Sequence, residues 1–152
     1  MSVEGSNGYR GLLMSEEAKL LLETDYNRFK HYCNGVGSKV GGWWDNLVYH
    51  LTPNTIWGLN ITCCSDIHDV EYSIPKHFKS EDDALIWFDE ANLRFYDNLT
   101  IHIQRQNSWR WVKKLRMSRA GKYYWLLGEY GWESFIAGKE IGVNDEGINS
   151  RV

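Results

Sequence analysis

The chain has 152 residues, of which 43% are hydrophobic and 24% charged, with a formal net charge of −3. That length suits one compact domain, and the composition excludes disordered, collagen-like and low-complexity classes. No apolar run approaches the ~20 residues of a membrane span, and residues 1–13 lack the apolar core of a secretory signal, so a cytoplasmic protein is expected.

Residues 1–14 read as a flexible tail, 15–140 as a single domain and 141–152 as a second tail. Ser15 followed by Glu16 and Glu17 caps a helix and places acids at its positive end. Ala18, Leu21, Leu22, Asp25 and Phe29 mark the inner face of that helix, which is expected to reach about His31. Gly35, Gly37, Gly41 and Gly42 then crowd one short stretch, which must be a loop. Residues 43–60, punctuated by Pro53 and Gly58, are irregular with a short hairpin around 43–57.

Cys64, Ile67 and His68 fall at i, i+3 and i+4, which predicts a helix over 61–72 stopped by Pro75. Ser80 before Glu81, Asp82 and Asp83 opens another helix, with Leu85, Phe88, Asn92, Phe95 and Leu99 inward and its end near Ile103. Ser108 caps a further helix over 109–127, ended by Gly128 and Gly131. The chain therefore reads as mainly α. Its three cysteines, Cys33, Cys63 and Cys64, are an odd number without zinc-ligand spacing and are expected as reduced thiols.

The densest chemistry lies in residues 63–72. His68 and Asp69 project about 100° apart on a helix, so Asp69 is not the expected partner of His68 and suits a hard cation instead. Tyr72 lies on the same side as both. Asp89, on the following antiparallel helix, is placed to face His68 and hold one tautomer of its ring. Carbonyls of the glycine loop could add oxygens to a cation. The plainer reading makes the His-Asp pair ordinary helix surface and Asp89 an exposed carboxylate near Arg94.

A glycine loop, a His-Asp-x-x-Tyr helix in His68-Asp69-Val70-Glu71-Tyr72 and an acidic antiparallel helix together resemble the phospholipase A2 superfamily. The likeness is strongest to small phage and bacterial phospholipase A2-like proteins and to the parvoviral capsid domain. It covers residues 33–95. It implies an antiparallel helix pair with a preceding Gly-rich loop and an extra C-terminal helix. It also implies a calcium-dependent lipid ester hydrolase with His68 as base, Asp89 orienting it and Tyr72 bonded to Asp89. Calcium (Ca2+) would sit on Asp69 and on carbonyls at Gly35 and Gly37. The chain departs from the family in the wording of its glycine loop, which carries Lys39, and in lacking the bracing disulfides.

A second reading rests on charge. No acid lies between Asp97 and Glu129, where Arg110, Lys113 and Lys114 alternate with Trp109 and Trp111. Cations meet phosphates and aromatic rings stack on bases. These five residues would suit a catalytically inactive phage protein of the host cytoplasm that sequesters a small anionic ligand, such as a nucleotide immune signal. With Leu115, the two tryptophans also suit contact with a phospholipid surface. Homo-oligomerisation is compatible with either reading.

Overall fold

The computed structural model describes residues 6–33 and 55–142. Gly35 and Gly37, with the rest of the glycine loop, lie outside the described residues, as does 143–152. The architecture is mainly helical. Helices α1 (Glu16–Thr24) and α2 (Tyr26–Cys33) precede a small hairpin, β1 (Thr55–Ile56) with β2 (Leu59–Asn60). Helix α3 (Thr62–Ser73), strand β3 (Lys76–Phe78) and the long helix α4 (Glu81–Arg105) follow. Helix α5 (Arg110–Tyr130), helix α6 (Trp132–Ile136) and strand β4 (Lys139–Ile141) complete the order. No described helix is long and apolar enough to cross a membrane.

The expected single helix from Ser15 is two helices. Ser15 caps the first as predicted, its side chain accepting from the Ala18 N–H. Asp25 then ends it, and its carboxylate accepts from the Arg28 N–H to start the second. A short acid that can cap is more stable between helices than within one.

The N-terminal tail is a further correction from Ser6 onward. Ser6–Tyr9 forms a 3-10 turn, and Tyr9 and Leu12 are buried in the core. Asn98 on α4 clamps this segment, accepting from the Leu13 N–H at 2.6 Å and donating to its carbonyl at 2.7 Å. Arg105 donates to the carbonyls of Arg10 and Gly11, and its guanidinium lies where a Gly11 side chain would begin. Gly11 has φ +73, so glycine serves both needs.

The main core joins Ala18, Leu22 and Phe29 to Ile56, Ile61, Cys64, Ile67, Val70, Phe95, Leu99, Ile103 and Ala120. A second cluster of Phe78, Ala84, Phe88 and Phe135 closes the far end of α4. Strands β3 and β4 pair in parallel there, Lys76 opposite Lys139 and Phe78 opposite Ile141. This pairing and α6 were not visible in the sequence pattern. Both are too short for a periodic signal. Helix α5 begins at Arg110 without a side-chain cap and runs past Gly128 to Tyr130. Ser108 is used otherwise, accepting from Arg116 at 3.0 Å.

Candidate functional site

Helix α3 packs between α2 and α4, so its two inward faces meet different partners. His68 is buried against Tyr72 and Phe95, its ring 4.1 Å and 4.8 Å from theirs. Its Nε2 lies 3.2 Å from Asn92 Oδ1, and the Tyr72 hydroxyl donates to the same oxygen at 2.6 Å. An oxygen already accepting from Tyr72 can only accept again, so Nε2 carries the proton and Nδ1 keeps its lone pair. Burial lowers the His68 pKa to about 4, against the opposing effect of Asn92, and the ring is neutral at physiological pH.

The residue that bonds the His68 ring is therefore Asn92 and not Asp89, the expected partner. Asp89 is exposed, and its charge reaches Tyr72 only as a lesser contribution. Desolvation is the main force raising the Tyr72 pKa. The reason is helical phase. Phe88, Ala91, Asn92 and Phe95 form the buried face of α4, and Asp89 follows Phe88 by about 100° around the axis, which turns it outward. The Tyr72–Asp89 bond implied by the resemblance is likewise replaced by Tyr72–Asn92. A polar amide at an inward position opposite His68 was the signal available in the sequence. The buried Asn92 Nδ2 has no hydrogen-bond partner among the described residues.

Asp69 is half-buried and makes no hydrogen bond among the described residues. Burial first, and the neighbouring Asp66 second, push its carboxyl up to about 8. Asp66 has partners of its own: Lys30 at 2.7 Å and the Tyr9 hydroxyl at 2.6 Å. An acid that is desolvated, unpaired and next to another carboxylate is suited to a cation. The described residues hold no group of three or more His, Cys, Asp and Glu side chains fit for a metal. The resemblance assigns the further oxygens of such a cation to the carbonyls of Gly35 and Gly37, which lie outside the described residues.

No protein-family model, curated protein or solved structure matches this chain.

The aromatic and basic residues at the start of α5 are mostly exposed. Trp109 is 76% exposed and Trp111 59%. Arg110 and Lys114 are exposed, while Lys113 is tied back to the Gln104 carbonyl at 2.9 Å. Arg116 binds both the Ser108 hydroxyl and the Trp57 carbonyl, each at 3.0 Å, and so brings the β1–β2 turn beside the start of α5. Trp57 sits in that turn with φ 46, beside Gly58 with φ 74, and is 62% exposed. Two left-handed residues match the twist of a two-residue hairpin. For tryptophan this conformation is costly.

At the first turn of α3 the thiols of Cys63 and Cys64 are 4.0 Å apart. The Cys64 S–H, aided by His102 and first-turn N–H groups, draws the Cys63 thiol down to about 6 against its burial. Cys33 goes the other way, pushed up to about 12 by burial and by Asp66.

Proposed function

We propose that the chain is a phospholipase A2-like lipid ester hydrolase centred on His68. The observation that carries this reading is the neutral, buried His68 ring, anchored at Nε2 by an amide that Tyr72 also holds. Its Nδ1 then takes a proton from water as the water oxygen attacks the ester carbonyl carbon. The tetrahedral adduct collapses, the acyl–oxygen bond breaks, and the proton on Nδ1 passes to the leaving alkoxide. The products are a free fatty acid and the lysolipid. Asp69 with carbonyls at Gly35 and Gly37 would hold calcium, which supplies positive charge to the carbonyl oxygen as it becomes an oxyanion. Trp57, Trp109 and Trp111, exposed near one end of the molecule, suit a lipid headgroup layer.

Anion sequestration is favoured by a different observation. Asn92 is neutral, so no carboxylate among the described residues bonds the imidazolium that catalysis must form. Arg110 and Lys114 with Trp109 and Trp111 would then hold a ligand with a phosphate and a flat ring.

One experiment separates the two. Wild type, His68→Ala and Arg110→Ala are incubated with phospholipid vesicles and calcium, and separately with cyclic nucleotides, and analysed by mass spectrometry. Fatty acid release by wild type, lost in His68→Ala and reduced in Arg110→Ala, is the expected result. Intact nucleotide recovered from heat-denatured wild type, with no lipid product, overturns the hydrolase.

A further inference from the structure

Helices α4 and α5 form an antiparallel hairpin, joined through residues 106–109 and locked by the Tyr96–Tyr124 ring contact at 5.4 Å. One broad side of the hairpin faces away from the core. Asp82, Ile86, Asp89 and Leu93 recur along α4 at i, i+4, i+7 and i+11, which is a single stripe. Ile86 is 58% exposed and Leu93 48%. Alongside, α5 presents Gly121, Tyr124, Trp125 and Gly128, with Trp125 57% exposed.

The two glycines add a separate observation. Gly121 and Gly128 lie inside α5, where glycine costs roughly 1 kcal/mol against alanine. A side chain at either would meet nothing within 4 Å. No close approach within the described chain therefore explains them.

Charge is sorted along the same hairpin. One end carries Asp82, Asp89 and Glu129, and the other carries Arg110 and Lys114. None of these five makes an ion pair among the described residues. Turned end for end, the surface is its own electrostatic complement.

We propose that this face docks a second copy of the chain across a two-fold axis, with the acidic end of each hairpin over the basic end of the other. Leu93, Ile86 and Trp125 fill the centre, and Gly121 and Gly128 let the helices approach. A parallel arrangement would oppose like charges. The closed two-fold contact stops at a dimer.

Sedimentation equilibrium on the full chain tests this. Wild type is expected at twice the chain mass in the micromolar range. Leu93→Glu should weaken association at least ~tenfold while leaving the circular dichroism spectrum unchanged. Gly121→Leu should do the same, since it obstructs approach without lowering helix propensity. The doubly reversed variants Asp82→Lys/Asp89→Lys and Arg110→Glu/Lys114→Glu should each be monomeric, and should pair when mixed. A monomeric wild type, an open-ended oligomer, or a dimer indifferent to Leu93→Glu overturns the interface. Reversed variants that stay monomeric on mixing overturn the antiparallel arrangement.

Discussion

Two buried polar clusters meet on helix α3, one turn apart, and they differ in how completely the α3 side chain itself is bonded, although each leaves one buried nitrogen opposite, Arg94 Nη2 and Asn92 Nδ2, without a partner among the described residues. Glu71 is 1% exposed, yet its carboxylate accepts from the Ser15 N–H at 2.6 Å and from Arg94 Nε at 3.0 and 3.1 Å. Burial raises its pKa, with Arg94 and Ser15 opposing. Around His68 the bonding stops short: the Nδ1 lone pair, Asn92 Nδ2 and the Asp69 carboxyl have no partner among the described residues. Both sites bear the cost of burying polar groups. One uses it to fasten the N-terminal segment, and the other keeps bonding capacity unspent, as a site that must receive another molecule does.

The largest effect expected from this contrast is at the closed cluster. Glu71→Ala leaves Arg94 Nε and the Ser15 N–H without their acceptor, with only the exposed Glu90 still beside Arg94, and should cost about 3–5 kcal/mol of stability. Urea denaturation measures it, and a loss below about 1 kcal/mol would erase the distinction between the clusters.

Next comes acid sensitivity at the open cluster. The folded His68 pKa of about 4 lies below the ordinary 6.5, so below pH 6.5 the unfolded chain binds the extra proton. Stability should therefore fall as pH drops from 6.5 to 4, by on the order of 3 kcal/mol from this ring. Asn92→Asp supplies a carboxylate to the imidazolium, raising the ring's pKa and shrinking that loss. Nuclear magnetic resonance titration of His68 reads it directly. A ring still titrating near 4 in the variant means Asn92 does not govern its protonation.

The smallest perturbation is chemical labelling. With Cys63 drawn down to about 6 and Cys33 pushed up to about 12, iodoacetamide at neutral pH should modify Cys63 first. Its rate should level off at a lower pH than that of an ordinary thiol. Peptide mapping that finds Cys33 labelled ahead of Cys63 would contradict the polarity described for the first turn of α3.

The helices were legible because their signals are local. Ser15 and Ser80 cap as their neighbours imply, and the 3.6-residue rhythm of Phe88, Asn92, Phe95 and Leu99 gives the buried face of α4, whereas Leu85, expected inward with them, is 46% exposed. His68 and Tyr72 fell on one side of α3 as their spacing demanded. Asp89 lies about 100° around the axis from Phe88 and faces solvent, whereas the amide of Asn92 lies on the inward face. Glu71 with Arg94, and Asn98 with Leu13, join residues distant in sequence, and no periodicity announces such bonds. The same holds for the β3–β4 pairing, which depends on two three-residue strands meeting across the whole α4–α5 hairpin.

That late pairing has a consequence for how the molecule is made. Lys139 Nζ donates to the carbonyls of Tyr72 at 2.5 Å and Ile74 at 2.7 Å, closing the C-terminal end of α3. On the ribosome, α3 emerges more than sixty residues before the lysine that finishes it. Until Lys139 clears the exit tunnel those carbonyls lack the ammonium that closes them and are left to other donors such as water. Synthesis thus leaves the end of α3 beside Tyr72 to be completed only after the α4–α5 hairpin has been translated.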